Sequence, residues 1–581
     1  MRKLICRALL VCLVLMPAAS ALGETAQAHR IDAKTLDFYY DDLDTVAPGT
    51  IYFIDGSDVP YLALSDWQDI MANILGSDSE GSEMLDGFEM RFSMEGSTGV
   101  LTREDGYTAA FDCDADTLHF LDFDAFQRVS SDSLLTDMVW TAAQSPDEPV
   151  RYFLRSQNSY ERYGREVTVN AADYGIDFIA QDGECYVPMQ TLSDFLLGSF
   201  YTSIFWNGEM LAIGPPEMIG RPGQLTPLAK RYYSATPRAL SEAMAKFAYG
   251  ELCMALDHLY GLKASHDIES FDELFDDTGL KPALTGTDPV QADAALYQLF
   301  MVHLDDLHTA FRLPSPLSGV DVVDGFKEEL GDGQSGLAYD AQAKRYVSAR
   351  TTAYPDGMPS YEEIGNTAYI TLDNFRMPTQ DVDYYQTPPT AQAEDTFGIM
   401  IYAYSQITRE DSPIENVVLD LACNKGGLGN AAIYTMASFL GAGSLSTRNA
   451  LSGALVTGTY TIDIDLDGRA DEKDLGLTDK NLFCLESPLS FSCGNLVPCA
   501  FKASGQVSLL GRASGGGACF VQSLSTAYGT CCQISGPVLI SFIKNGSFYD
   551  TDRGAEPDFP LMNPESFYDR QALTDFINGL R

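Results

Sequence analysis

The stretch NVVLDLACNKGGLGNAA (Asn416–Ala432) decides the fold. Val417 to Leu421, apolar except for Asp420, read as a strand of the kind buried on both faces. Gly426-Gly427 then breaks the chain, and GNAAIYTMASFL resumes with helical spacing. Working outward, NTAYITLDNF, NLFCLES and QVSLLGRA read as further strands, and TFGIMIYAYSQIT as a further helix. From about Ser360 onward this alternation predicts an α/β domain. A Gly-Gly turn between strand and helix exposes backbone N–H groups and suits an oxyanion or phosphate. The G-K-[ST] ending of a phosphate-binding loop is missing, and on its own such a pair is more often an ordinary tight turn.

A second stretch, LESPLSFSCGNLVPCAFKASGQVSLLGRASGGGACF, runs from a strand through Ser492 into an apolar helix-like segment. A serine at that junction can present its hydroxyl beside its neighbour's N–H, as nucleophile elbows do. The G-x-S-x-G form is absent, because position 490 is Ser.

Composition bounds the rest. The 581 residues hold 82 Asp plus Glu against 37 Lys plus Arg, a net charge of −45. That balance argues against nucleic acid or anionic lipid as partner, since phosphate binding needs clustered bases. At 45% apolar and 11% aromatic residues the chain has enough to bury real cores, and the length suggests several domains. Residues 1–21 read as an export signal: Arg2, Lys3 and Arg7, an apolar run from Ala8 to Met16, then Ala19-Ser20-Ala21 as the cleavage site. The run is too short to span a bilayer, and no later segment supplies a transmembrane span. Cys113, Cys185, Cys253, Cys423, Cys484, Cys493, Cys499, Cys519, Cys531 and Cys532 follow the signal. With no C-x-x-C and no His beyond His308, disulfides or buried thiols are expected before zinc.

Residues 31–220 are β-rich. IDGSDVPYLALSDWQDIMANIL and QDGECYVPMQTLSDFLLGSFYTSIFWNGEMLAIG echo each other, which suggests two α+β accessory modules, 31–140 and 150–220. The second resembles the copper-amine-oxidase N-terminal-like stalk modules of exported bacterial proteins. Copper is not implied, since this half offers only His29 and His119. Residues 225–315 carry apolar residues at helical spacing.

The order L-x-D-x-H-T, D-L-x-x-N-x-G-G, S-x-S-x-G-N, L-G-R-A-S-G-G-G and G-A-E-P-D, from about residue 230 to 575, resembles the tail-specific, or C-terminal-processing, serine peptidases. The resemblance implies a crotonase-like β-α spiral core over 360–581 with a helical cap at 225–315. It places the nucleophile at Ser492 and the oxyanion donors at the amides of Cys493 and of Gly426 or Gly427. The commoner branch has a Lys base where this chain has Gly517, with only Lys502 nearby, and inserts a PDZ module for which there is no room between Phe311 and Ile364. The tricorn-like branch uses a His that maps onto His308, whose pKa suits deprotonating a serine. Asp552 and Asp550 are the candidates for orienting it. Leu307 stands where that branch has a Ser.

DIDLDGRADEKD sets Asp463, Asp465, Asp467, Gly468, Asp471 and Asp474 at positions 1, 3, 5, 6, 9 and 12 of a calcium loop, with the Arg469 carbonyl at 7. The expectation is a structural calcium in an insertion at 456–480, with no cofactor needed for catalysis. The expected function is exported peptide-bond hydrolysis. The rival is an inactive relative that binds peptides, or cell-wall material through the N-terminal modules. An α/β-hydrolase esterase is disfavoured, because no His follows Ser492.

Overall fold

The computed structural model describes residues 28–580 except 41, 76–89, 105, 128–151, 222–223 and 380–381. The expected signal and the boundary between the two expected modules lie outside the described residues.

The two echoing stretches share one seven-stranded sheet, in the order Ile179–Gln181, Glu184–Pro188, Pro60–Ala63, Val46–Ile54, Ile31–Tyr40, Leu211–Gly214, Ser203–Trp206. Glu184–Pro188 pairs with Pro60–Ala63, and Ile31–Tyr40 runs parallel to Leu211–Gly214, so each stretch completes the other's edge. A five-stranded antiparallel sheet (Met90–Glu95 through Phe120, then Val167–Asn170) contributes Phe111, Phe120 and Val169 to the same core. That core continues into the helical region, where Glu242–Leu259 is capped by the Ser241 hydroxyl on the Met244 amide. It ends on Leu524 and Ile534 of a C-terminal hairpin.

The remaining half is built on a six-stranded sheet ordered Tyr361–Ile364, Thr367–Thr371, Asn416–Asp420, Asn481–Glu486, Val507–Gly511, Phe559–Pro560. From Thr367 onward its pairs are parallel. Its strands bury both faces. Val417, Leu419 and Leu482 meet the helices Thr396–Ile407, Gly429–Leu440 and Cys493–Ser504. Val418, Phe483 and Leu510 meet Tyr346, Phe567 and Leu573 on the opposite side. A second sheet joins Ala310–Leu313, the long strand Cys531–Ser541, Gly443–Asn449, Leu455–Ile462 and Phe153–Arg162, with Cys519–Ser525 paired to the long strand. The start of the segment expected as a calcium insertion is therefore a strand of this sheet, and Phe153–Arg162, expected in the second accessory module, is its partner.

Candidate active site

Ser492 sits between the strand Asn481–Glu486 and the helix Cys493–Ser504, at φ 56 and ψ −125. A left-handed φ is uncommon for serine and persists only where its surroundings impose it. Here the turn is fastened on both sides. The Ser490 hydroxyl donates to the Leu421 carbonyl (2.8 Å), the Phe491 amide to the Asn424 carbonyl (3.0 Å), and the Ser492 amide to the Gly516 carbonyl (2.9 Å). The Ser492 hydroxyl makes no capping bond to its own helix.

The Gly-Gly turn lies against it. A Cβ at Gly426 would fall 2.7 Å from Ser492 Cβ, and one at Gly427 would fall 2.2 Å from the Phe375 carbonyl oxygen. Both glycines have positive φ. The Gly426 amide donates to Asn424 Oδ1 (2.8 Å), so it is committed. Among the described residues the amides of Gly427 and Cys493 have no protein acceptor, which leaves them as the available donors of the two predicted positions. The Cys493 thiol is buried, and burial pushes it up to about 12, so it stays an unreactive thiol beside the turn.

His308 is buried with its ring 4.7 Å, centroid to centroid, from the ring of Phe491. Its Nδ1 has no hydrogen-bond partner, and no hydrogen bond joins it to Ser492. Burial holds the imidazole below its ordinary value, opposed by the charges of Asp306 and then Asp552. Of the two predicted carboxylates, Asp552 faces inward and accepts from the amides of Gly517 (3.1 Å) and Ala518 (3.2 Å). Asp550 is exposed and pairs with Arg553 (3.1 Å). No lysine can occupy position 517, because a Cβ there would meet the Phe491 ring at 2.7 Å. Lys502 pairs with Asp558 instead.

Asp306, two residues before His308, organises the histidine segment. Asp306 accepts the His308 amide (3.0 Å), the Thr309 hydroxyl and the Ser535 hydroxyl (both 2.6 Å). Phe491 and Gln533 also reach the histidine without being marked by any of the sequence motifs.

In the acidic loop, carboxylate oxygens of Asp463, Asp465 and Asp467 lie within 4.8 Å of one another. Asp474 instead accepts the Ile464 and Asp471 amides (both 2.9 Å), Asp471 accepts the Lys473 amide (2.9 Å), and the Arg469 amide donates to Asp467 (3.1 Å). Three of the five aspartates thus converge as a cation site would need, and two act as a capping box. All ten described cysteines are free, with Cys113 and Cys185 Sγ atoms 3.5 Å apart.

No helix among the described residues is long and apolar enough to cross a membrane. No curated protein matches the chain in sequence. Among solved structures it is similar to the photosystem II D1 C-terminal processing protease, with 16% identity over 34% of this chain and 43% of that one and a TM-score of 0.25. The chain therefore spans less than half of that relative. A chain from Parabacteroides merdae ATCC 43184 assigned as a peptidase gives 15% identity, 58% and 96% coverage and a TM-score of 0.40. The tricorn protease gives 14%, 41%, 19% and 0.24. Residues 366–560 match the description Peptidase family S41. Over those residues the chain is similar to peptidase family S41, a family of serine peptidases.

Proposed function

We propose that the protein is an exported serine peptidase acting on polypeptide, with a crotonase-like β-α spiral core and residues 225–315 as its helical cap. Ser492 Oγ attacks the scissile carbonyl while His308 takes its proton, and the oxyanion forms against the amides of Gly427 and Cys493. His308 then protonates the leaving amine, and water releases the acyl group. Asp552 stabilises the imidazolium. The observation that carries this reading is the left-handed Ser492 at a helix N-terminus beside two uncommitted amides. In this reading calcium braces the loop at Asp463, Asp465 and Asp467 and takes no part in the chemistry. The N-terminal sheets contact substrate-bearing material such as cell wall.

Ser492→Ala and His308→Ala should each abolish peptide hydrolysis, and a fluorophosphonate probe should label the wild type only through Ser492. Labelling that survives Ser492→Ala would sink the assignment. A second reading, a silent relative that binds peptides, is favoured by the missing Ser492–His308 hydrogen bond and the unpartnered Nδ1. Full occupancy by a peptide with no hydrolysis would select it.

A further inference from the structure

The ladder that anchors the histidine segment stops short of the histidine. Ala310–Leu313 pairs antiparallel with the long strand Cys531–Ser541, in the register Ala310 to Gln533 and Phe311 to Cys532. His308 and Thr309 lie just past its last rung, so side chains must hold them. Gln533 and Ser535, two residues apart, point to the same face of that strand. The Gln533 Nε2 donates to the His308 carbonyl. The Ser535 hydroxyl donates to Asp306, which accepts the His308 amide. The strand therefore holds the histidine's carbonyl directly and its amide through Asp306.

Gln533 is itself fixed from elsewhere. Its Oε1 accepts from the Arg312 guanidinium and, at 2.7 Å, from the Tyr201 hydroxyl of the N-terminal region. Tyr201 holds a left-handed φ of 56 at the end of the turn Gly198–Phe200, a conformation that costs a non-glycine residue energy. The hairpin carrying Gln533 is joined to the same region by buried contacts. Gln522 donates to the Asp194 carbonyl (3.0 Å), Gln190 to the Ser525 hydroxyl (2.6 Å), and Ser203 bonds Ser523. Tyr201 is thus presented by a rigid, buried seam rather than by a mobile stalk.

We propose that the N-terminal region is part of the catalytic apparatus, Tyr201 fixing the Gln533 amide and Gln533 fixing the backbone that carries His308. Tyr201 and Gln533 are positioning residues: neither touches substrate. This rests on His308 as general base. Proton transfer demands close placement, and a misplacement of about 1 Å can cost on the order of a hundredfold. Loss of either link should lower kcat and leave KM and acyl-group preference alone.

The test uses the full chain and a fluorogenic peptide. Tyr201→Phe should lower kcat about tenfold with KM unchanged. Gln533→Glu keeps the acceptor for Tyr201 and Arg312 but removes the donor to the His308 carbonyl, and should lower kcat at least as far. Ser203→Ala, which loosens the same seam without touching Gln533, should stay within about twofold of wild type. A kcat within about twofold of wild type for both Tyr201→Phe and Gln533→Glu overturns the inference, as does an equal loss in Ser203→Ala. His308→Ala run alongside separates the two levels: if that variant keeps its activity, the general-base reading fails instead.

Discussion

The imidazole of His308 packs on the ring of Phe491, 4.7 Å between centroids, and Phe491 is the residue that leads into Ser492. One aromatic ring thus walls the base and shapes the turn of the nucleophile. It shields His308 from water, and this burial keeps the imidazole neutral to lower pH than usual. The base form is needed for attack, so kcat/KM should hold until pH falls through a value below about 6.5 and then decline. Phe491→Ala should admit water, raise that inflection towards the ordinary histidine value and lower kcat about tenfold. A pH–rate profile of the two proteins decides it.

The Gly-Gly turn leaves no room for side chains. Gly427→Ala would drive a Cβ into the Phe375 carbonyl, and Gly426→Ala would drive one into Ser492. Each should cost on the order of a hundredfold or more in kcat, Gly427→Ala by displacing an oxyanion donor and Gly426→Ala by displacing the nucleophile. Far-ultraviolet circular dichroism should stay native, because the turn ends on a strand whose core contacts are unchanged.

Arg570 of the last helix reaches Asp420 at the end of the strand that leads into that turn, Nη2 to Oδ2 at 2.5 Å, both groups buried. It also donates to the Phe567 carbonyl (2.9 Å) and lies 4.4 Å from the centre of the Tyr369 ring. Arg570→Met would leave Asp420 buried and unpaired, a loss of about 3–5 kcal/mol by urea unfolding. Adding Asp420→Asn should recover part of it, since the orphaned charge is then gone.

Asp194 and Glu251 are buried together where the N-terminal region meets the helix Glu242–Leu259. Burial pushes both carboxyls upward, and Glu251 pushes Asp194 further. The folded protein therefore keeps protons that the unfolded chain loses near pH 4. This contribution to stability is complete below that pH and is lost as pH rises through the raised values. Glu251→Gln should flatten the pH dependence between about 4 and 8 relative to wild type and raise the urea midpoint at pH 8.

If calcium occupies the acidic loop, adding it to chelator-treated protein should raise Tm by about 5 °C. Asp463→Asn should remove most of that increment, because Asp463 is the buried member of the converging three. An unchanged Tm on calcium addition would remove the metal from the proposed function.

Much of the catalytic half was legible from local pattern. The strands around Ala368, Val418, Phe483 and Leu509 announce themselves as apolar runs closed by turn residues, and the helices between them follow with the right spacing. Ser492 and Gly426-Gly427 were legible for the same reason, since a strand-to-helix turn is written in consecutive residues. The N-terminal sheet was not. Its two halves lie more than a hundred residues apart, and nothing local says that Pro60–Ala63 pairs with Glu184–Pro188 rather than closing its own module.

Order along the chain was enough for the α/β alternation, the place of the nucleophile turn, the acidic loop and the absence of any histidine after Ser492. These are statements about neighbours along the chain. Tertiary packing alone sets that Gly427 and not Gly426 keeps a free amide, that Asp552 and not Asp550 turns inward onto the Gly517 and Ala518 amides, and that Tyr201 reaches the histidine segment through Gln533. Each of those choices depends on which groups burial brings within hydrogen-bond distance, and packing sets that across separations no motif spans.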